Sequence, residues 1–247
     1  FHDRWADSLA VFDAVHDQQT QDGLKDGDYQ RAKLRQYTHI MDKGLQRSDR
    51  NTGYSTKWYG MARDACQSMP PHEHESDPSV RWASGIINQY EDAQTGKFPP
   101  RIKFDRNYAE ADIAALTSVI KSRRSCRNLS TKEVPDTVLL QIADVLNWAP
   151  NSCNKQTGII FTTNDGPLVE QCLQQFHGAT GFSPGVPAFM CFTADVRPYW
   201  LPKEVMLPFV DIGLGAQNCA LLAESLGLSI TFLSWASHTP EQDRILR

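Results

Sequence analysis

The sequence predicts an α+β fold preceded by an all-helical N-terminal region. Apolar residues recur at helical spacing up to about residue 95, whereas short β-branched and aromatic runs alternate with helical segments from about residue 106. Gly96, Pro99 and Pro100 separate the two patterns, because glycine and proline interrupt regular structure. The predicted domains are therefore a helical region over 1–100 and a second domain over 106–247.

Four amphipathic helices are predicted in the first region. The fourth has a clear start, since Asp77 can cap a helix and Pro78 suits its first position. Loops are predicted over 18–28 and 70–78, where Gly, Asp and Pro are frequent. The apolar positions that define the helices are, in order, Trp5, Leu9, Phe12 and Val15; Leu34, Tyr37, Met41 and Leu45; Tyr54, Trp58, Met61 and Ala65; and Ile86, Ile87 and Tyr90.

The second domain is predicted to mix helices with strands. Helices are expected over 108–121 and 167–176, where apolar residues follow helical spacing. The runs at 158–163, 188–193 and 230–233 are rich in β-branched or aromatic residues, so they are predicted strands.

A further helix is predicted over 211–226, with Asp211 as its N-cap rather than as a catalytic carboxylate. This segment is rich in small residues, including Gly213, Gly215 and Ala220, and it has few polar groups. We expect it to be buried on most sides. Taken alone, the small residues favour packing within the chain and a contact between subunits equally.

The composition excludes several classes of protein. The chain of 247 residues has a net charge of −4 and a pI near 6.0. A nucleic-acid-binding protein needs a basic surface for phosphates, so that class is excluded. No apolar run is long enough to span a bilayer, and the N-terminus lacks a signal-like apolar stretch. The sequence therefore predicts a soluble, cytoplasmic protein without nucleic-acid or membrane partners.

Neither a metal site nor a protein nucleophile is predicted. The six cysteines contain no Cys-x-x-Cys pair, so reduced and partly buried thiols are expected. His72, Glu73 and His74 lie in a Pro-bounded acidic segment without a recognisable third ligand, which favours a solvated loop.

Two polar segments indicate a bound cofactor. Arg123 to Arg127 places three guanidiniums and a hydroxyl in five residues, a grouping that suits a phosphate. Trp148 to Gln156 is a Pro-broken helix end followed by amides and hydroxyls, which can hydrogen-bond a polar ring edge without adding charge. One amphipathic helix joins the two segments and carries Val138, Leu139, Ile142, Val145 and Leu146 on one face. This arrangement suits a phosphorylated, planar cofactor.

These segments resemble the nitroreductase family of FMN-dependent oxidoreductases. The family has an Arg-rich cluster, a Val-Pro opening the next helix and an Ala-Pro-Ser-Ser-x-Asn-x-Gln segment, which correspond here to 123–127, 134–135 and 149–156. A third match covers residues 211–218 and the Gly-Leu turn that follows the predicted helix over 211–226. Order and spacing agree over residues 108–247. The resemblance implies that 106–247 is an FMN-binding domain with a mixed, mainly antiparallel sheet flanked by helices.

The resemblance also implies which residues bind FMN. The phosphate would be held by the arginine cluster, the flavin ring edge by the amide loop, and the region near N5 by two backbone contacts. The implied residues are Arg123, Arg124, Ser125, Arg127, Pro150, Ser152, Asn154, Gln156, Leu233 and Ser234. The residues alone allow a simpler interpretation, in which the arginines form a basic helix end and the amides form turns.

The chain departs from the family pattern at three places. Asn151 replaces the usual first Ser, and Lys155-Gln156-Thr157 stands where Gln-Pro-Trp is common. Residues 239–242 open a short helix, but the family's following strand and basic phosphate ligand do not appear before Arg247. We therefore expect either that the natural chain extends beyond Arg247 or that it departs from the family pattern at this end.

The implied activity is ping-pong hydride transfer from NAD(P)H through flavin N5 to a small organic acceptor, in a homodimer with FMN between subunits. The flavin carries the chemistry, so no catalytic side chain is assigned. One alternative is an FMN-dependent tailoring oxidase or dehydrogenase in a biosynthetic pathway. A short match at 39–45 to helical extensions of polysaccharide-associated homologues points in that direction. A third possibility is a flavin-free scaffold or binding protein that retains the fold.

Overall fold

The computed structural model describes residues 27–103, 106–181 and 185–234. The helix predicted around Trp5 to Val15 and the helix start predicted at 239–242 lie outside these residues. The described helices are α1 (Gly27–Gln46), α2 (Thr56–Gln67), α3 (Glu73–Ser76), α4 (Pro78–Gln94), α5 (Glu110–Ser122), α6 (Asp136–Asp144), α7 (Gly166–Leu173) and α8 (Leu207–Ser225). Short 3-10 turns occupy Val145–Trp148, Ser152–Asn154, His177–Ala179 and Pro202–Glu204. The strands are β1 (Gly158–Thr163) and β2 (Phe189–Ala194).

The described residues form two compact units. The first contains the residues up to Arg106 together with Asn151–Thr157 and Asp195–Val210. The second contains Asn107–Pro150, Gly158–Ala194 and the residues from Asp211 onwards. Two segments from the later part of the sequence thus lie in the unit formed by the N-terminal helices.

Three helices, α1, α2 and α4, form the core of the first unit, as the helical spacing predicted. Leu34, Met41, Val80 and Ala83 are completely buried in this core. Asp77 caps α4 as predicted, because its Oδ1 accepts hydrogen bonds from the backbone nitrogens of residues 79 and 80 at 2.8 and 3.1 Å. The predicted loop over 70–78 differs in one respect, since it contains the single-turn helix α3.

An antiparallel strand pair lies in the second unit. Strands β1 and β2 pair from Gly158 opposite Ala194 to Thr163 opposite Phe189. The first strand has the predicted bounds, and the second is shifted by one residue. The strand predicted over 230–233 is wrong: these residues are all described and form no strand. Their composition suits a strand, but a strand also requires a backbone ladder with a neighbour.

Helix α8 begins earlier than the sequence indicated. It starts at Leu207, so Asp211 lies inside the helix and its predicted N-cap role is wrong. The better start signal was Pro208, since proline in the first turn removes an N–H that has no partner within the helix. The segment was also expected to be buried on most sides. Instead most of its small residues form a buried stripe that includes Cys219 and Ala223, whereas Gly213 is exposed and Leu214 is 43% exposed.

The buried stripe on α8 packs against α6 and the 3-10 turn that follows it. Ile142 and Leu146 belong to the same buried cluster as Cys219 and Ala223. At Gly215 a Cβ atom would lie 2.8 Å from Leu146 Cγ, so only glycine allows this close approach. The α+β prediction, with helices around antiparallel strands and a helical region before them, is confirmed over the described residues. None of the described helices is both long and apolar enough to cross a membrane.

Candidate cofactor-binding site

The arginine cluster begins where α5 ends. Arg123 is the C-cap residue of this helix, and its backbone nitrogen donates to Val119 O. The Nη1 atom of Arg123 is buried and has no hydrogen-bond partner among the described residues. A buried donor without a partner costs about 1–3 kcal/mol. An anionic ligand would satisfy it, so the chemistry of this loop fits a phosphate.

Arg124 has a different role from its neighbour. Its Nη1 donates to Lys121 O at 2.6 Å and to Arg123 O at 2.8 Å. The last carbonyls of a helix have no partner within the helix, and a basic side chain there satisfies them. Arg124 therefore caps α5, which is the simpler interpretation that the residues alone allowed.

The remaining residues of the cluster lie on an exposed loop next to the chain segment that follows α8. Ser125 and Arg127 are exposed. The Thr231 hydroxyl donates to Cys126 O at 2.6 Å, which holds the two segments together. Leu233 and Ser234 follow two and three residues later on this segment. The structure thus brings the arginine cluster close to the segment that carries Leu233 and Ser234, and both lie in the second unit.

Pro150 also belongs to the second unit and is exposed. The residue before it, Ala149, is extended, with φ −74° and ψ 145°. A residue that precedes proline is driven out of the helical conformation, which explains why the helix ends here. The predicted helix through Leu146 is present, but α6 ends at Asp144 and continues as a 3-10 turn.

Ser152, Asn154 and Gln156 lie in the first unit, on a loop of unusual backbone conformation. Cys153, Asn154 and Gln156 have φ angles of 53°, 56° and 52°. Such left-handed angles are uncommon for residues other than glycine, although Asn tolerates them better than most. Within the loop, Asn151 Oδ1 accepts from the Gln156 backbone nitrogen at 2.9 Å.

The side chain of Asn154 is oriented by its neighbour. Gln156 Nε2 donates to Asn154 Oδ1 at 2.9 Å. With its oxygen engaged in this way, the Asn154 amide offers its nitrogen Nδ2 as a donor to a ligand. A neutral amide donor matches the predicted contact with the polar edge of a flavin ring.

Lys155 anchors this loop, although its structural role was not predicted from the sequence. Its side chain is 0% exposed, and Nζ lies 2.9 Å from Glu204 Oε1. Nζ also lies 4.5 Å from the centre of the Tyr199 ring, a cation–π contact. The sequence showed only that Lys155 departs from the family pattern, and nothing in the surrounding polar residues indicated that a lysine would be buried.

A second anchor comes from α1. The Arg35 guanidinium donates to Lys155 O through Nε at 3.2 Å and through Nη2 at 2.7 Å. Its Nη1 donates to the Ser79 hydroxyl at 3.0 Å. Burial lowers the pKa of Arg35 to about 10, so the side chain is still charged at neutral pH.

The other titratable groups in the described part of the chain do not form a metal site. Among the described residues, no group of three or more His, Cys, Asp or Glu could hold a metal ion. On α1, burial lowers the pKa of His39 and raises that of Asp42, so desolvation disfavours both charged forms. Burial also raises the pKa of the Cys219 thiol to about 11.

The predicted site residues therefore fall into two groups. One group, in the second unit, consists of Arg123, Arg124, Ser125, Arg127, Pro150, Leu233 and Ser234. The other group, in the first unit, consists of Ser152, Asn154 and Gln156.

Residues 120–180 match the family model described as the nitroreductase family. The resemblance seen in the motifs is therefore confirmed for the part of the chain that carries the arginine cluster and the amide loop. None of the curated proteins matches the sequence at a significant level.

Part of the chain also superposes on solved structures. An FMN-dependent nitroreductase from Clostridium difficile is 21% identical, with 53% of this chain and 75% of that chain covered and a TM-score of 0.45. B. megaterium NfrA1 is 22% identical, with 53% and 60% covered and a TM-score of 0.46. A nitroreductase with bound FMN from Desulfitobacterium hafniense is 24% identical, with 47% and 67% covered and a TM-score of 0.38. All three TM-scores lie below 0.5.

Proposed function

Because residues 120–180 match the nitroreductase family, we propose that this protein is an FMN-dependent oxidoreductase. The observation that carries the proposal is the buried Arg123 Nη1, which lacks a partner among the described residues. It lies in a loop that also contains Ser125 and Arg127, both of which are exposed. Guanidinium groups bind phosphate through charge-assisted hydrogen bonds, so this loop suits the phosphate of FMN.

In the proposed complex, the chain's own residues bind the cofactor. Arg123, Ser125 and Arg127 hold the phosphate, and the Asn154 amide donates to the ring edge. When bound, FMN supplies a hydride acceptor and donor at N5. The protein residues bind and orient the cofactor, and no side chain is assigned a proton or covalent step.

The finer activity that we propose is ping-pong transfer from NAD(P)H to a small organic acceptor, in a homodimer. The dimer is supported by helix α5, whose 13 residues are all described and none of which is buried. Ile113, Leu116 and Ile120 of this helix are 56%, 57% and 51% exposed. An apolar stripe of this kind is typical of an interaction surface.

Flavin binding tests the proposal directly. The purified protein should show a flavin absorption spectrum and release FMN, and Arg123→Ala together with Arg127→Ala should abolish retention of the cofactor. Arg63→Ala is a matched control, because Arg63 lies in the first unit and forms an exposed ion pair with Asp64. A protein that binds no FMN after reconstitution would instead support the flavin-free scaffold.

Nicotinamide dependence tests whether the protein transfers hydride from NAD(P)H to an acceptor. A reductase of this type oxidises NADH or NADPH in the presence of an electron acceptor such as a quinone or a nitroaromatic compound. A tailoring oxidase binds the same flavin but oxidises its own substrate with oxygen and leaves both nicotinamides unchanged. Bleaching of the bound flavin by NADH or NADPH without oxygen therefore separates the two enzymes.

A further inference from the structure

The loop at Asn151–Thr157 needs outside support to keep its conformation. Three of its residues, Cys153, Asn154 and Gln156, have left-handed φ angles. Residues in sparsely populated backbone regions are strained, so they persist only where the surrounding structure holds them.

The contacts that hold the loop are concentrated at Lys155, which lies between two residues with left-handed φ angles. Lys155 separates Asn154 from Gln156, and its side chain and carbonyl are both engaged in buried contacts. Its Nζ meets Glu204 at 2.9 Å, and its carbonyl oxygen accepts two hydrogen bonds from Arg35.

A further contact holds the end of the loop. The Thr157 hydroxyl and the Tyr199 hydroxyl lie 2.7 Å apart in a buried hydrogen bond. Tyr199 is also the ring that lies below the Lys155 ammonium group. Anchors at Lys155 and Thr157 therefore fix the backbone immediately before and after Gln156.

We propose that Arg35, acting with the buried Lys155–Glu204 pair, is a positioning residue that presets this loop so that Asn154 can contact the flavin ring. The inference rests on the proposed function. In this arrangement the N-terminal helices support cofactor binding through the loop, and Arg35 acts on Asn154 rather than on the cofactor.

The geometry of Arg35 suits this role. A guanidinium presents several N–H groups in a fixed plane, so one side chain can join the loop carbonyl to Ser79 at the start of α4. Both α1 and α4 belong to the packed core of the first unit. A site residue supported by such rigid elements is held in its productive geometry before the ligand arrives.

Comparison of FMN with riboflavin tests the inference, because riboflavin lacks the phosphate and reports on contacts with the ring and the ribityl chain. Arg35→Ala should weaken binding of FMN and of riboflavin by the same factor, about tenfold or more. Arg123→Ala should weaken FMN and leave riboflavin binding unchanged. Flavin fluorescence quenching on titration with protein gives both dissociation constants.

A double-variant cycle adds a readout that a general loss of stability would not change. If Arg35 acts through Asn154, Asn154→Ala alone and Asn154→Ala with Arg35→Ala should bind riboflavin with the same affinity. The absorption spectrum of the bound flavin should also shift in Arg35→Ala and Asn154→Ala alike. Arg35→Lys keeps the positive charge but not the pair of hydrogen bonds to the Lys155 carbonyl oxygen. It serves as the second variant if Arg35→Ala does not fold.

Two results overturn the inference while the proposed function stands. One is a folded Arg35→Ala or Arg35→Lys protein with wild-type affinity for riboflavin. The other is full additivity of the Arg35 and Asn154 effects. A wild-type protein that binds neither flavin overturns the proposed function itself and the inference with it, so the wild-type titration distinguishes the two failures.

Discussion

The Lys155 ammonium lies 2.9 Å from a carboxylate oxygen of Glu204, and the lysine side chain is fully excluded from solvent. Two charges taken out of water are stable only together. Their attraction in a buried site offsets the loss of hydration, and either charge left alone lacks that compensation. This pair therefore makes the amide loop sensitive to changes at Glu204, which lies 49 residues away in the sequence.

We expect Glu204→Ala to lower the free energy of unfolding by about 3–5 kcal/mol, because it leaves a buried lysine without its partner. Asp64→Ala is the control, since the Arg63–Asp64 pair is exposed and such pairs contribute about 0–1 kcal/mol. Urea denaturation of the two variants measures the difference. Equal stabilities would show that Lys155 and Glu204 are not a buried pair in solution.

A second prediction concerns two helical glycines of the first unit. A Cβ atom at Gly44 would overlap a ring carbon of Tyr54, whereas at Gly85 nothing in the described residues comes within 4 Å apart from the chain neighbours and the helix's own backbone. Gly44→Ala displaces the ring and should destabilise the protein by about 1–3 kcal/mol. Gly85→Ala should stabilise it by about 0.5–1 kcal/mol, because alanine favours the helix. Thermal unfolding of both variants tests this, and a stabilising Gly44→Ala would contradict it.

Local chemistry explains how much of the fold the sequence predicted. The capped start of α4 needed only Asp77, Pro78 and the apolar spacing that follows, and it is present as predicted. The segment at 230–233 has suitable composition but forms no strand among the described residues. Strand formation depends on a distant partner, which a local pattern does not reveal.

In the candidate site, too, the features that depend on neighbouring residues could be predicted, whereas those that depend on distant residues could not. The helix cap formed by Arg124 follows from its position after α5. In contrast, the burial of Lys155 depends on Glu204 and Arg35, both far away in the sequence. Long-range pairs of this kind cannot be inferred from one sequence, so the anchors of the amide loop became visible only in the structure.

The left-handed conformation of Cys153 gives a third prediction. Its φ angle is 53°, where a side chain with a Cβ atom is strained by about 1–2 kcal/mol and glycine is not. Cys153→Gly should therefore be more stable than Cys153→Ala, although glycine also loosens the unfolded chain. Cys153→Val should be less stable than both, because a branched side chain is worst at this angle. Chemical denaturation of the three variants gives the order, and a different order would contradict the loop conformation.

A fourth prediction follows from the buried thiol of Cys219. Burial raises its pKa to about 11, above the value of 9.0 expected when the thiol is exposed to water. The unfolded chain then loses the proton first, so the contribution of this group is complete below about pH 9 and is lost as pH rises to about 11.

Cys219→Ala should remove this part of the pH dependence. We expect the stability difference between wild type and Cys219→Ala to shrink by up to about 2 kcal/mol between pH 9 and pH 11. Comparing the two proteins at each pH cancels the titration of other groups. A difference that stays constant over this range would show that the thiol is not desolvated.

The last prediction distinguishes two adjacent arginines. The Nη1 atom of Arg123 is buried and has no hydrogen-bond partner among the described residues. In contrast, the Nη1 atom of Arg124 donates hydrogen bonds to the carbonyl oxygens of Lys121 and Arg123. Arg123→Ala should weaken FMN binding by about 2 kcal/mol, or about 30-fold, because it removes a charge-assisted hydrogen bond to the phosphate. Arg124→Ala should change FMN binding little and lower stability by about 0.5–1 kcal/mol, since it removes a helix cap. Isothermal titration with FMN and urea denaturation measure the two quantities for each variant. If Arg124→Ala proves the more harmful to FMN binding, the phosphate is held differently from the arrangement proposed here.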